Sequence, residues 1–261
     1  MNFTRIIIQE ENNAFYNMAL DEAICEAVRN DLSPPTLRIY KWERPTLSLG
    51  YFQKISDIDM DYCRSNNYPV VRRLTGGRAI LHESELTYSF SAKKGSLLFN
   101  GELHNDYTVI SNALVEGLKL CGVDAEISFT RKRATDQKSP ACFKVVSYGE
   151  VTVDNKKVIG SAQKRYKDGF LQHGSLLLDF NEAELQNVLK CSSKDDFSGI
   201  GSINGYADKT SYIELVRGMK KAFAKVLDTK MITDEPTGYE LKAGKELESK
   251  KYSSDEWNAM R

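Results

Sequence analysis

The stretch "RRLTGGRAILHESELTYSF", residues 72–90, joins two strand-like apolar stretches through a short segment rich in charge and glycine. The Gly76–Gly77 pair can adopt positive φ angles and allows a ligand to approach the main chain closely. Arg72 and Arg78 are suited to binding a phosphate group, and His82 to orienting a substrate or accepting a proton. A β-hairpin turn with solvated charges explains the same residues, so the stretch by itself leaves both interpretations open.

Predicted strands and helices follow one another irregularly on both sides of this stretch. Alternating apolar residues predict strands, and apolar residues three or four positions apart predict helices. The main predicted strands are Thr4–Ile8, Thr36–Trp42, Leu47–Leu49, Val70–Leu74, Thr87–Ser91 and Phe170–Phe180, and the first two predicted helices are Asn13–Val28 and Asp57–Asn67. Because strands and helices do not alternate strictly, the pattern favours an α+β fold with a large, mostly antiparallel or mixed β-sheet and packed helices.

The second half of the chain carries more local signals. The polar, charged segment Ile127–Ala141 is predicted to be a loop. Three hairpin-like strands are predicted after it, at Lys144–Ser147, Glu150–Val153 and Lys157–Ala162, and capping boxes at Asn181 with Glu184 and at Ser211 with Glu214. We expect one domain over residues 1–235 and a short helical C-terminal tail over residues 236–261, anchored by Trp257.

Composition excludes several classes of protein. The 261 residues include 36 Lys+Arg and 36 Asp+Glu, so the net charge is zero, which argues against a nucleic-acid-coating protein. No apolar run approaches the roughly 20 residues of a membrane span, and the N-terminal region lacks the apolar core of a signal peptide. The sequence therefore predicts a cytoplasmic protein. Five cysteines without a CxxC pair predict free thiols, with neither a metal site nor a disulfide framework.

Cys142 differs from the other cysteines by its position in the predicted loop. It lies in "SPACF", and Arg131, Lys132, Arg133, Lys138 and Lys144 surround it in the sequence. Nearby cations lower the pKa of a thiol and so favour the nucleophilic thiolate. A buried structural cysteine is the alternative, and it suits Cys25 and Cys121 better, because both lie beside apolar positions of predicted helices.

A second candidate region is "KKVIGSAQKRYKDGFLQHGSLLLD", residues 156–179. Gly160, Ser161 and Ala162 are small and leave room for a ligand along a predicted strand. His173 and Gly174 interrupt an otherwise apolar strand, which indicates that they face a polar group. Packing within the protein explains His173 equally well.

Taken together, three motifs resemble the lipoate–protein ligase A / octanoyltransferase / biotin–protein ligase superfamily. They are "RRLTGGRAILH", "KKVIGSAQ" and "QHGSLLLD", supported by "NMALDEAI" and "YFQ" nearer the N-terminus, and the resemblance runs from about residue 5 to residue 225. It implies a ligase-like catalytic domain with a large, mostly antiparallel sheet. Members attach an octanoyl or lipoyl chain to one lysine of a small acidic lipoyl domain.

The resemblance implies one of two chemical routes. Ligases activate lipoate with ATP, and their opening motif has a third glycine where this chain has Arg78. "SPACF", followed fifteen residues after its cysteine by Lys157, resembles instead the octanoyltransferases of the LipM kind, which need no ATP. In those enzymes the matching cysteine carries the acyl group and the matching lysine lowers its pKa. An ATP-dependent lipoate–protein ligase, which forms lipoyl-AMP, and a non-catalytic lipoyl-domain or acyl binder are the alternatives.

The resemblance therefore predicts the site and its partners. Cys142 is the predicted acyl-thioester nucleophile, and Lys157 favours its thiolate and contacts the acyl carbonyl. The predicted substrate-binding residues are Arg72, Gly76, Gly77, Arg78, His82, Gly160, Ser161, Ala162, His173 and Gly174. Octanoyl-acyl carrier protein is the expected donor, without ATP or a metal, and the glycine cleavage H protein or a dehydrogenase E2 subunit is the expected acceptor. The basic segment 131–138 is the predicted docking surface, and the chain is expected to be monomeric.

Overall fold

The fold was analysed in a computed structural model, which describes residues 3–128, 149–190, 197–206 and 210–261. The strands are β1 (Phe3–Asn12), β2 (Thr36–Trp42), β3 (Thr46–Leu49), β4 (Val70–Arg72), β5 (Ile80–His82), β6 (Glu85–Lys93), β7 (Glu126–Ser128), β8 (Glu150–Val153), β9 (Lys156–Arg165), β10 (Gly169–Leu177) and β11 (Lys230–Thr233). The α-helices are α1 (Ala14–Arg29), α2 (Met60–Ser65), α3 (Leu103–Leu120), α4 (Glu182–Val188), α5 (Tyr212–Val226), α6 (Gly238–Leu247) and α7 (Asp255–Asn258). Short 3₁₀ turns lie at Ile55–Asp57 and Ile203–Gly205, and a π-helical turn at Glu248–Tyr252 follows α6.

A large mixed sheet dominates the fold. Within the described residues it has eight strands in the order β11-β1-β2-β6-β10-β9-β8-β7. β1 pairs in parallel with β11 and with β2, and the pairs from β2 onwards to β7 are antiparallel. The predicted α+β fold with a mostly antiparallel or mixed sheet is therefore confirmed.

Helices cover both faces of this sheet. Neighbouring residues of a strand point to opposite faces, so Ile6 and Ile7 of β1 enter different apolar clusters. The cluster around Ile6 includes residues of α3 and α5, whereas Ile7 packs against α1. Helix α5 begins with the predicted capping box, in which Ser211 and Glu214 bind each other's backbone N–H groups.

A small second sheet holds the first part of the stretch 72–90, from Arg72 to His82, and the rest enters β6 of the main sheet. β3 is its central strand, parallel to β4 and antiparallel to β5. Because β4 and β5 both pair with β3 and not with each other, the segment between them is not a hairpin turn. The hairpin interpretation of Gly76–Gly77 is wrong. These glycines lie in a connection that crosses the end of the small sheet.

The C-terminal tail is helical, as predicted, and it packs closely on the rest of the chain. The Arg5 guanidinium and the Glu240 carboxylate form a buried ion pair between β1 and α6. Trp257 Nε1 donates a hydrogen bond to the main-chain oxygen of Arg72 at 2.8 Å, which ties α7 to β4. The boundary between domain and tail near residue 235 stays a prediction.

Three local predictions need correction. The loop predicted over Ile127–Ala141 is strand β7 at its start, because Ile127 pairs with Val151 of β8; residues 129–148, with the predicted strand Lys144–Ser147, lie outside the described part. At Asn181 the side chain accepts a hydrogen bond from the Glu184 N–H, but the reciprocal bond of a capping box is not formed. Helix α2 is shorter than predicted, since the Asp59 side chain caps it just before Met60. In the described ranges, none of the helices has the length and apolar character that a bilayer crossing requires.

Candidate functional site

The main sheet and the small sheet enclose a narrow cavity between them. It contains about 340 Å³ of space not occupied by atoms, including its open mouth. Half of the residues predicted to form the site line this cavity: His82, Gly160, Ser161, Ala162, His173 and Gly174. They come from β5, β9 and β10, and Ala162 lies directly opposite His173 in the sheet. Tertiary pairing therefore brings together two sequence motifs that were identified separately.

Strands β9 and β10 pack closely in the cavity wall. A Cβ atom on Gly174 would lie 2.6 Å from the Gly160 oxygen and 2.7 Å from Ser161 Oγ, which is closer than real carbon contacts. Glycine is thus required on β10 where β9 passes beside it. Apolar walls complete the lining and include Met18, Trp42 and Ile80.

Gly174→Ala is expected to lower the free energy of unfolding by about 1–3 kcal/mol, because backbone atoms on β9 cannot move away as a flexible side chain could. Urea unfolding of the purified protein measures this change. Gly238→Ala is the control, since a Cβ atom there meets nothing within 4 Å and should leave stability almost unchanged. An unchanged midpoint for Gly174→Ala would contradict the close packing of the two strands.

Arg72 lies outside the cavity lining. Its guanidinium is completely buried and donates to the main-chain oxygens of Gly50, Gln53 and Asn258 at 2.9, 2.6 and 2.9 Å. Burial, together with the nearby Arg261 charge, lowers the pKa of Arg72. These contacts join the small sheet to the C-terminal tail, so the structure places Arg72 in a supporting position behind the site.

Gly77 contacts the main chain just after β3. Gly77 has φ +89°, and a Cβ atom on Gly50 would lie only 1.9 Å from the Gly77 oxygen. Two main chains therefore touch at this point, which explains glycine at positions 50 and 77 without a ligand, whereas a Cβ atom on Gly76 would meet nothing within 4 Å. Next to Gly77, Arg78 Nη1 is buried and has no hydrogen-bond partner among the described residues. A buried guanidinium donor of this kind suits an oxygen of a bound group.

Lys157 lies near the start of β9, three residues before Gly160, and does not line the cavity. Only 1% of it is exposed, and its ammonium group pairs with the Glu150 carboxylate across the β8–β9 hairpin. Its backbone N–H donates to the Gly199 oxygen at 2.8 Å. Cys142, the predicted partner of Lys157, lies outside the described residues.

The described cysteines have the properties of structural thiols. Burial raises the pKa of Cys25 to about 12 and the pKa of Cys63 to about 11. Burial and the Glu214 carboxylate also raise the pKa of Cys121. A raised pKa disfavours the thiolate, so none of these three described thiols is suited to nucleophilic attack. Cys191 lies outside the described residues.

A buried polar network lies behind one side of the cavity, around Asp21 of α1. Its carboxylate accepts hydrogen bonds from Arg38 at 2.7 Å, Tyr40 at 2.9 Å and Ser89 at 2.7 Å. Burial alone would raise the pKa of Asp21, but the Arg38 charge and the hydrogen bonds outweigh it and hold the pKa below its ordinary value. Asp21 is therefore ionised inside the protein at neutral pH.

His173 connects this network to the loop after β4. Its Nδ1 lies 3.5 Å from Asp21 Oδ2, and its Nε2 lies 2.6 Å from Thr75 Oγ1. Burial lowers the pKa of His173 more than Asp21 raises it, which favours the neutral imidazole at pH 7. Both ring nitrogens are thus occupied by protein groups, and Thr75 is completely buried.

A second polar chain links Ser48 of β3, His82 of β5 and Glu85 of β6. His82 Nδ1 is 2.6 Å from Glu85 Oε1, and His82 Nε2 is 2.7 Å from Ser48 Oγ. Burial would raise the pKa of Glu85, but His82 and two hydroxyl donors, Ser175 and Thr87, hold it below its ordinary value. Ser48 and His82 both line the cavity.

Sequence reasoning missed Asp21, Ser48 and Glu85 as site residues. Each of them is a polar residue on a buried face. Asn17 and Asp21 are four residues apart on the apolar side of α1. Ser48 lies between the core residues Leu47 and Leu49, and all three are buried. A polar residue inside an apolar periodic pattern was the signal that could have identified them.

Comparison with known proteins identifies the family. Residues 13–224 match the lipoyl protein ligase A/B catalytic domain. The chain is 38% identical to Octanoyltransferase LipM of Clostridioides difficile over 100% of both chains. It is also 38% identical to Octanoyltransferase LipM of Lysinibacillus sphaericus, over 93% of this chain and 94% of the relative. This chain belongs to the lipoyl protein ligase A/B family. The resemblance predicted from the three sequence motifs is confirmed.

Solved structures of the family share the fold. A bipartite lipoate protein ligase with its E2 lipoyl domain, from Thermoplasma acidophilum, superposes with a TM-score of 0.83 at 23% identity, covering 99% of this chain and 97% of the other. A lipoate-protein ligase A bound with ATP gives a TM-score of 0.83 at 24% identity over 99% of both chains. At these identities the likeness establishes the architecture alone, and it confirms the predicted ligase-like fold.

Proposed function

We propose that this chain is an octanoyltransferase that moves an octanoyl group from acyl carrier protein, through a thioester on Cys142, to a lysine of a lipoyl domain. One observation carries the activity: relatives named Octanoyltransferase LipM are 35–38% identical to this chain over nearly the whole length of both. The route through Cys142 rests on the motif "SPACF" and its spacing to Lys157.

The first chemical step is attack of the Cys142 thiolate on the octanoyl thioester. A bond forms between the cysteine sulfur and the acyl carbon, and the carrier thiol leaves as a thiolate, so the step exchanges one thioester for another. Lys157 is the cation that favours the Cys142 thiolate. Its pairing with Glu150 keeps an ammonium charge in a buried position, where an unpaired charge would be unfavourable.

The cavity between the sheets is the proposed binding site for the acyl chain. Gly160, Ala162 and Gly174 leave space, and Trp42 and Ile80 supply apolar contacts. Each methylene group transferred from water to such a site contributes about 0.8 kcal/mol. A medium-length chain is therefore favoured over a short one. The buried Arg78 donor is suited to an oxygen of the bound acyl or carrier group.

The acyl donor and acceptor are proteins under this proposal. The donor is octanoyl-acyl carrier protein, and the acceptor is the glycine cleavage H protein or a dehydrogenase E2 subunit. Because carrier and lipoyl domains are acidic, the basic segment 131–138 is the proposed docking surface. A thioester is already activated, so we propose that neither ATP nor a metal takes part.

An ATP-dependent lipoate ligase is the competing function, since ligases share the fold. Arg78 argues against it, because the ligase motif leaves this position to a bare glycine and a large side chain fills the space near a nucleotide. The ligase requires ATP to activate its substrate and the transferase does not, so the ATP dependence of the reaction distinguishes the two functions.

Intact-mass measurement after incubation with octanoyl-acyl carrier protein, without ATP, tests the proposal. We expect the mass to increase by one octanoyl group, and peptide mapping to place a hydroxylamine-sensitive thioester on Cys142. Addition of a lipoyl domain should then return the enzyme to its original mass and octanoylate the domain. No adduct from the carrier, with ATP-dependent modification of the lipoyl domain by free lipoate, would overturn the proposal in favour of the ligase.

A further inference from the structure

Ser48, His82 and Glu85 form a continuous hydrogen-bonded chain that ends at the cavity. Glu85 Oε1 and His82 Nδ1 are 2.6 Å apart, and His82 Nε2 and Ser48 Oγ are 2.7 Å apart. All three residues are at least 94% buried, so water does not compete for these bonds. The order of groups is carboxylate, imidazole, hydroxyl, which is the arrangement that moves a proton from a hydroxyl to a histidine.

Neighbouring residues hold the side chains of Ser48, His82 and Glu85 in one geometry. Trp42 stacks on the His82 ring with a centroid distance of 4.1 Å and an interplanar angle of 17°, and its indole N–H donates to Glu85 Oε1 at 3.2 Å. Arg73 Nη1 donates to Ser48 Oγ at 2.9 Å. A guanidinium at this distance stabilises negative charge on the serine oxygen, which makes its proton easier to release to His82.

We propose that Ser48, His82 and Glu85 form the proton relay that deprotonates the acceptor lysine during octanoyl transfer. This inference rests on the proposed function. Ser48 Oγ is the group that touches the lysine nitrogen, and His82 and Glu85 act through Ser48. Under the proposed function the acyl group occupies the same cavity, whose lining includes Ser48.

The proton balance of the step is complete. The acceptor lysine arrives as an ammonium ion, because its ordinary pKa is about 10.4. One ammonium proton passes to Ser48 as the serine proton passes to His82, and Glu85 stabilises the imidazolium. The amine then bonds to the acyl carbon, the C–S bond breaks, and its electron pair stays on the Cys142 sulfur. A second nitrogen proton leaves to water, and His82 returns its proton through Ser48 to solvent.

The other histidine of the cavity lacks this geometry. His173 directs Nδ1 towards Asp21 and Nε2 towards Thr75, and Thr75 lies outside the cavity lining. At Nε2, the hydrogen-bonded chain of His173 therefore ends on a hydroxyl group that does not line the cavity. In the His82 chain the terminal hydroxyl itself lines the cavity. The two histidines that line the cavity thus differ in where their hydrogen-bonded chains end.

Separate measurement of the two half-reactions tests the relay with Ser48→Ala. The protein is first loaded from octanoyl-acyl carrier protein, and the loss of the octanoyl group to H protein is then followed in a single turnover. We expect acylation to change less than about threefold and transfer to lysine to slow by about 10²-fold or more, in the range of general-base catalysis. Normal acylation shows at the same time that the variant is folded.

Hydroxylamine separates a proton relay from a structural role. It is unprotonated at neutral pH and needs no base, so octanoyl-loaded Ser48→Ala should react with it at the wild-type rate. Ser89→Ala is the matched control, because Ser89 is also a buried serine that donates to a carboxylate, at 2.7 Å from Asp21, but it lies outside the lining. Its transfer to lysine should stay within about threefold of wild type.

Each outcome decides the inference. Selective slowing of the lysine reaction in Ser48→Ala supports the relay, and the same selectivity in His82→Gln extends it to the imidazole. Unchanged transfer to lysine, or equal slowing towards lysine and hydroxylamine, would overturn it. Failure of the wild-type protein to form any adduct contradicts the proposed function and, with it, the step that the relay serves.

Discussion

Cys142→Ser is expected to reduce octanoyl transfer by about three orders of magnitude or more. A serine hydroxyl without a strong adjacent base is a far weaker nucleophile than a thiolate. The other residues of a covalent mechanism also lose most of their effect on the rate when the nucleophile is removed. The measurement is the rate of octanoyl appearance on H protein with octanoyl-acyl carrier protein as donor. The mass adduct on the enzyme should disappear in parallel.

Cys121→Ser is the control for this substitution. Cys121 is half-exposed and its pKa is raised, so it has no role as a nucleophile in the proposed reaction. We expect wild-type transfer rates and a wild-type adduct for this variant. A Cys142→Ser protein that still forms the adduct would show that another group accepts the acyl chain, and the route through Cys142 would then be wrong.

Asp21→Ala is expected to have the largest effect on stability, a loss of about 3–5 kcal/mol. The substitution leaves the Arg38 guanidinium buried without the carboxylate that lies 2.7 Å from it. Neither residue is more than 1% exposed, so water cannot replace the lost partner. Chemical denaturation of the two proteins measures the difference in the free energy of unfolding.

The pH dependence of this difference follows from the lowered pKa of Asp21. The group is ionised in the folded protein at lower pH than in the unfolded chain, so its contribution is fully present above the ordinary Asp pKa of about 3.9. It is lost as the pH falls through the folded-state pKa. The difference between wild type and Asp21→Ala should therefore be constant between pH 6 and 8 and shrink in acid.

Glu26→Ala is the matched control on the same helix. Glu26 is exposed, and removal of a surface carboxylate usually changes stability by less than about 0.5 kcal/mol. If Asp21→Ala were no more destabilising than Glu26→Ala, the buried network around Arg38 would not contribute to stability as its geometry indicates.

Elements with strong local signals were predictable from the sequence. Strand β2 was predicted at its observed limits, Thr36–Trp42, because alternation and β-branched residues reinforce each other there. Helix α1 was predicted within a residue at each end, since Asn13 is an N-cap and the apolar residues repeat at helical spacing. His173 and Gly174 were singled out because they interrupt an otherwise apolar strand.

Local patterns were not sufficient for the stretch from Arg72 to Arg78. The spacing of its glycines is compatible with a hairpin, and its arginines with a phosphate site. The structure of the stretch depends on β3, which lies between β4 and β5, and on Asn258, which is 186 residues from Arg72 in the sequence and binds it. Neither contact can be predicted from the residues of the stretch itself.

The sequence by itself determined the fold class, the family and the candidate residues for acyl transfer, because these depend on local periodicity and on short motifs with fixed spacing. Only the tertiary structure decided which histidine faces the cavity through a hydroxyl group. Asp21 and His173 are 152 residues apart, and Ser48 and His82 are 34 apart, so sheet pairing and burial bring them together. Burial then removes water from these groups and makes each hydrogen bond specific, a condition that no short stretch of sequence contains.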